Sequence, residues 1–170
     1  MVDALLLNGP VGVGKSAAAY ELARAAVVPT ALIDVDEIRR LWPTPTDDPF
    51  THRVAVQNLR SLVANYRSAG ARRFVLAGVV EDAAALEEYR DALGPASLLA
   101  VRLTADAATV RRRLEARHVD DASGLAWHVE RAAELAAILE RAALDDVVLD
   151  TTHLDAASVA AAVAPVAGWA

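Results

Sequence analysis

Lys15 is the only lysine among 17 basic residues; the other sixteen are arginine. The chain uses arginine wherever a generic positive charge serves, so an ammonium kept at one position points to a task a guanidinium does not perform. Lys15 lies in Gly9-Pro10-Val11-Gly12-Val13-Gly14-Lys15-Ser16, which fits G-x-x-x-x-G-K-[ST]. In such a loop glycines at Gly9, Gly12 and Gly14 let backbone N–H groups, Val13 included, turn inward around a di- or triphosphate. The N-terminus of the following helix adds partial positive charge. Lys15 then reaches the β and γ phosphates of ATP, and the Ser16 hydroxyl ligates Mg²⁺. Gly12 to Ala17 also matches G-x-G-x-x-A, with Asp34 about 20 residues on, as in a dinucleotide fingerprint. Two features weigh against that reading. Four residues separate Leu7 from Gly12, and a dinucleotide loop has no use for lysine followed by serine.

A second set of groups sits at Ile33-Asp34-Val35-Asp36-Glu37-Ile38-Arg39. Carboxylates at the C-terminal edge of a parallel sheet face the ligand crevice, where one of them can orient an acceptor hydroxyl and take its proton. Asp34 and Asp36 are therefore the carboxylate candidates there, and Arg39 opens the following segment beside them. A third set is arginine-rich: Arg111, Arg112, Arg113 and Arg117 share one helical segment, and Arg113 and Arg117 fall on one face of it. Charge spreads over the oxygens of a phosphoryl group in transfer, so Arg113 and Arg117 are candidate phosphate contacts and Arg117 a catalytic one. Trp127-His128 and Arg131 follow in the next helical segment.

These groups must be carried by alternating strands and helices. Apolar runs at Asp3 to Asn8, Thr30 to Asp34, Arg73 to Val80, Ser97 to Leu103 and Asp146 to Asp150 read as five strands. Between them lie helical patterns over Ser16 to Val27, Asp82 to Leu93, Asp106 to His118 and Gly124 to Ala143. A further helix runs from Asp48 and Pro49 to about Ala69, with a core stripe of Ala55, Leu59, Leu62 and Tyr66. The last begins after Asp155, with Val159, Val163 and Val166 on one stripe. The order gives an α/β class with a mainly parallel sheet, organised as one domain over residues 1–170. Pro43 to Pro49 reads as a surface loop.

Composition narrows the function further. A net charge of −6 gives no basic face for nucleic acid or anionic lipid, so any phosphate must be held locally. There is no cysteine, and His52, His118, His128 and His153 show no metal-ligand spacing. The longest uncharged stretch, Ala156 to Ala170, is short and broken by Pro165, so no membrane span is expected. Asp3 stands where an export signal carries positive charge, and a cytoplasmic protein, monomer or homodimer, is expected.

With these residues in view, the chain resembles the small P-loop kinases related to adenylate kinase, especially the gluconate kinase, adenylylsulfate kinase and chloramphenicol phosphotransferase group. Asp34 to Arg39 is similar to the D-G-D-x-x-R of adenylylsulfate kinases, and Tyr89-Arg90-Asp91 to the Y-R-D after the third strand of gluconate kinases. Leu114-Glu115-Ala116-Arg117 resembles the L-x-x-R that precedes the lid. The resemblance implies a three-layer P-loop NTPase fold: a five-stranded parallel sheet in the order 2-3-1-4-5 and a helical lid, here within about 117–131. It implies phosphoryl transfer from ATP with Mg²⁺ to the hydroxyl of a small molecule, Asp36 on the acceptor side and Arg39 in contact with the substrate. It also places Thr151 and Thr152 in the loop that meets the adenine, with Thr152 as the base contact. The chain departs from the pattern in two places. After the third strand come Ala77-Gly78-Val79-Val80-Glu81-Asp82, with no aspartate directly after the apolar run, which leaves the second Mg²⁺ contact open among Asp34, Asp36, Glu81 and Asp82. Gluconate kinases carry a cysteine-serine pair where Ala77-Gly78 stands. Sugar acid, nucleoside, sulfate nucleotide and antibiotic all remain open as acceptors, and a nucleotide-binding switch or slow NTPase without a small acceptor is the alternative.

Overall fold

The computed structural model describes residues 2–169. Its elements are β1 (Ala4–Asn8), α1 (Lys15–Ala25), β2 (Thr30–Asp34), α2 (Val35–Ile38), α3 (His52–Ser68), β3 (Arg73–Ala77), α4 (Ala83–Leu93), β4 (Leu98–Thr104), α5 (Ala107–Arg117), α6 (Ala122–Ala142), β5 (Val147–Asp150) and α7 (Ala156–Val166). The five strands pair in parallel in the order β2-β3-β1-β4-β5, as the family resemblance implied.

β1 is central and wholly buried, and its alternation divides the core. Ala4 and Leu6 point to one face, where they meet Val56 and Leu59 of α3 and Leu86 and Tyr89 of α4. Leu5 and Leu7 point to the other face, toward Ala18 and Leu22 of α1, Leu114 of α5 and Val159 and Val163 of α7. Burial on both faces is why the strand is an unbroken apolar run rather than an alternating one. α1, which follows β1, lies on one face; α4, which follows the neighbouring β3, lies on the other. Adjacent strands whose connections leave to opposite faces open a crevice at their C-terminal ends. The crevice of this sheet is therefore between Asn8 and Ala77.

Caps account for most of the helix starts. Asp82, Asp106 and Asp155 accept the N–H groups of Ala85 at 2.8 Å, Thr109 at 2.6 Å and Ser158 at 2.8 Å. The start of α3 corrects the sequence reading. The helix begins at His52, not at Pro49, because Asp48 reaches forward to accept His52 N at 2.8 Å and Arg53 N at 3.0 Å across a turn in which Thr51 takes φ 51°. The stripe also shifts: Ala55, Val56, Leu59 and Val63 are buried, whereas Leu62 only borders the core and Tyr66 is 38% exposed. In α7 Val159 and Val163 are buried as expected and Val166 is half exposed, at the end of the helix. Among the described residues no helix is long and apolar enough to cross a membrane.

Candidate active site

The Gly9–Ser16 loop leaves β1 at the crevice and enters α1 through Gly14, which caps the helix in the left-handed region (φ 98°) with no side-chain cap. The first N–H groups of α1 are thus left for a ligand. Gly9 has φ 140°, and a Cβ there would stand 2.5 Å from Leu103 O of β4, so only glycine lets the loop pass this close to the sheet. Asn8 fixes the root of the loop. Its Oδ1 accepts Gly9 N at 2.9 Å and Val80 N at 3.1 Å, while its Nδ2 donates to Val80 O at 3.2 Å and Asp145 Oδ1 at 3.1 Å. All four hydrogen-bonding positions of this buried amide are used, and they join the ends of the two strands that flank the crevice. Its one signal in the sequence is a polar residue closing an apolar strand beside the first glycine.

Lys15 is 8% exposed and donates to Gly9 O at 2.8 Å and Pro10 O at 3.0 Å, so its ammonium sits inside the loop it serves. Burial pulls its pKa down from 10.5 to about 8, with Arg117 acting in the same direction; the carboxylates of Asp36 and Asp34 act against it.

An open cavity of about 1210 Å³ covers the loop, and Gly12, Gly14, Lys15, Ser16, Asp36, Arg39, Arg113 and Arg117 all line it. The two neighbouring acids divide their roles. Asp34 caps α2, its Oδ1 accepting Asp36 N at 3.0 Å, and is not part of the cavity wall, whereas Asp36 is 58% exposed and faces the cavity. The alternative that Asp36 is merely a helix cap is thereby removed. Arg39 Nη1 lies 3.7 Å from Asp36 Oδ1. Gly9 and Val13 stand behind the wall as loop framework.

The arginines separate in the same way. Arg113 Nη1 donates to Val13 O and Thr151 Oγ1, each at 3.2 Å, and Nη2 donates to Thr151 O at 2.8 Å and Leu154 O at 3.1 Å. It ties the phosphate loop to the loop after β5, and that is where its donors are spent. Arg131 is held by Glu81 and Glu134, and Arg40 by Glu37. Of the arginines lining the cavity, Arg117 alone has no hydrogen bond or ion pair among the described residues. It ends α5, facing the loop, with a short turn through Asp120 and Asp121 before α6. Thr152 lies outside the cavity wall; its Oγ1 accepts Asp106 N at 3.0 Å and donates to Asp150 Oδ1 at 2.6 Å. Tyr89 of the Tyr89-Arg90-Asp91 motif is a core residue, its hydroxyl pushed up to about 12 by burial, and Arg90 pairs with Glu87 on the surface.

Among the described residues no group of three or more His, Asp or Glu side chains is arranged to hold a metal ion. A Mg²⁺ ion that keeps waters and is shared with phosphates needs only a hydroxyl and one or two carboxylates from the protein. Exposed Ser16 at the start of α1 has the right chemistry, with Asp36 on the same wall. Glu81 is engaged by Arg131, and Asp82 is a helix cap.

Fold and site together define a P-loop protein with the architecture of the small P-loop kinases. The profile of an AAA-domain family matches residues 5–125, and the chain belongs to that family. Solved structures share the fold over nearly the full length of both chains. The tunicamycin resistance protein of Deinococcus radiodurans has a TM-score of 0.71 and 22% identity, covering 100% of this chain and 98% of its own. A gluconokinase from Sinorhizobium meliloti gives 0.63 and 19%, covering 97% and 93%. Shikimate kinase from Bacteroides thetaiotaomicron gives 0.67 and 13%, covering 98% of each. No protein of curated function matches the chain by sequence. The motif-based resemblance to small P-loop kinases is borne out in fold and family.

Proposed function

We propose that this protein is an ATP- and Mg²⁺-dependent kinase that transfers a phosphoryl group to the hydroxyl of a small molecule. One observation carries the reading: the buried ammonium of Lys15, the exposed carboxylate of Asp36 and the uncommitted guanidinium of Arg117 line a single cavity over an uncapped helix N-terminus. The kinase descriptions of its structural neighbours support it.

In this reading the N–H groups of Gly12 to Ser16 cradle the β and γ phosphates, and Lys15 exchanges its loop carbonyls for phosphate oxygens. Mg²⁺, held by Ser16 with Asp36 beside it, neutralises charge on those oxygens when bound. Asp36 accepts the proton of the acceptor hydroxyl as its oxygen bonds to the γ phosphorus, and the bond to the β-γ bridging oxygen breaks to leave ADP. Arg117 swings onto the transferring oxygens as the segment 117–131 closes and excludes water. Arg113 holds the phosphate loop against Thr151, next to Thr152 on the adenine side. The whole chain works as one domain, in the cytoplasm, as a monomer or homodimer, with no nucleic-acid or membrane partner.

The test uses the single lysine. An amine-reactive reagent labels only the N-terminal amine and Lys15, and intact mass counts both. Saturating ATP should suppress labelling of Lys15 while AMP protects it poorly; undiminished labelling under ATP overturns the assignment. A nucleotide switch instead shows the ATP protection but releases no ADP when acceptors are supplied.

A further inference from the structure

The half of the cavity wall outside the phosphate loop and α5 is lined by more carboxylates than guanidiniums. Three guanidiniums face it, each near a carboxylate: Arg40 pairs with Glu37, Arg131 with both Glu81 and Glu134, and Arg39 lies 3.7 Å from Asp36, its buried Nε without a hydrogen-bond partner. Against these three stand four carboxylates on the wall itself, Asp36, Glu81, Asp82 and Glu88, the last bonded to His52. A carboxylate or phosphate on the acceptor would enter a wall with more carboxylates than guanidiniums and would have to compete with Asp36 for Arg39, since Arg117 belongs to the transferring phosphoryl group.

The same half exposes aromatic surface. Trp42 is 75%, Trp127 54% and Phe50 52% exposed, and all three line the cavity. Trp42 and Phe50 come from the loop before α3 and Trp127 from α6, so two separate segments of the chain supply the rings. Arg131 already lies over the Phe50 ring, 5.1 Å from its centroid, and Trp127 meets His128 in a T-shaped contact, which leaves Trp42 and the exposed part of Trp127 as the apolar platforms. Exposed indoles facing a crevice offer stacking area to a flat ring and repay it with dispersion and apolar burial.

We infer that the acceptor is an alcohol carrying a flat ring and no negative charge, its ring against Trp42 and Trp127 and its hydroxyl toward Asp36. The inference rests on the kinase reading above and narrows its acceptor: ring-bearing nucleosides or aryl compounds fit, and sugar acids and sulfate nucleotides do not.

A matched pair of probes isolates the charge. 4-Nitrophenyl glucoside and 4-nitrophenyl glucuronide share the aryl ring and the pyranose and differ only at C6, a hydroxymethyl group in one and a carboxylate in the other. Calorimetric titration of the full chain, loaded with a non-hydrolysable ATP analogue and Mg²⁺, should show the glucoside binding at least tenfold more tightly. Trp42→Ala and Trp127→Ala, both at exposed positions that leave the core intact, should each weaken the glucoside about tenfold and leave labelling protection of Lys15 by ATP unchanged. Equal or tighter binding of the glucuronide, no binding of the glucoside, or indifference to both tryptophan variants overturns the inference. So does faster ADP release with gluconate or shikimate than with adenosine, uridine or the glucoside. Lys15 protection measured on the same samples keeps the two readings apart: its loss overturns the kinase reading, and its persistence with any of the failures above overturns the acceptor class alone.

Discussion

Replacing Lys15 by methionine separates what the ammonium does for the fold from what it does for the ligand. The side chain is 8% exposed and its pKa falls from 10.5 to about 8 on folding. Each unit corresponds to about 1.4 kcal/mol, so keeping Lys15 charged in the folded, ligand-free protein costs about 3 kcal/mol near pH 7. The shift is downward. Between about pH 8 and 10.5 the unfolded chain holds a proton that the folded protein has released, and stability rises with pH across that window. Raising the pH from 7 to about 9.5 should stabilise the natural protein by about 2 kcal/mol from this one group. Lys15→Met lacks the gain, because nothing at position 15 titrates. At pH 7 the variant escapes the cost of the buried charge but leaves Gly9 O and Pro10 O without donors, a loss of about 1 to 3 kcal/mol for each buried acceptor. Absolute stability at one pH therefore decides little, and the pH slope decides the matter. Urea unfolding of both proteins at pH 7, 8.5 and 9.5 is the assay, and it stays below the range in which Tyr89, pushed up to about 12, begins to act in the opposite sense. Parallel profiles, agreeing within about 0.5 kcal/mol across the range, would refute the claim that the ammonium is held at a desolvation cost. In the proposed ATP complex, phosphate takes over the role of counter-charge and draws a proton onto Lys15. ATP affinity should therefore decline as the pH passes about 8.

Asp36→Asn should keep ATP affinity near normal and lower turnover by about 100-fold or more, because a positioned base acts in the transition state; unchanged turnover on an identified acceptor removes that role. The same variant deletes a charge that supports the Lys15 proton, so the Lys15 labelling rate should rise at a lower pH than in the natural protein. Gly9→Ala puts a Cβ 2.5 Å from Leu103 O at φ 140° and should cost about 3 kcal/mol or more, read as a fall in melting temperature of about 10 °C; a fall of under about 2 °C contradicts the packing described. The segment 117–131 should gain hydrogen-exchange protection when an ATP analogue and Mg²⁺ bind, and identical protection in both states rules out a lid there.

The phosphate loop was legible because its requirements are local. Glycines at fixed offsets, a lysine and a serine between an apolar strand and an alanine-rich helix specify the turn from neighbouring residues alone. The five strands and the helices after Asp82, Asp106 and Asp155 were legible for the same reason, since apolar runs and caps act over a few residues. The start of α3 was not, because Asp48 reaches four and five residues forward to His52 and Arg53 where adjacency suggested a cap next to Pro49. Nor was the shift of its stripe from Leu62 and Tyr66 to Val56 and Val63, which is set by the residues of α4 and the sheet that α3 packs against. Within the site, the sequence placed Asp34 and Asp36 together at the strand end, and only the tertiary structure separated them into a helix cap and a cavity wall. Arg113 and Arg117 share a helical face, yet their fates differ by what lies opposite. Val13 O, Thr151 and Leu154 meet the first, and open cavity meets the second. Ion pairing between distant segments, such as Arg131 with Glu81, likewise decides which charges remain to greet a ligand. A sequence specifies which groups are present and how the backbone turns beneath them. Which of those groups remain unpaired is a property of contacts between residues far apart in the chain, and only folding decides it.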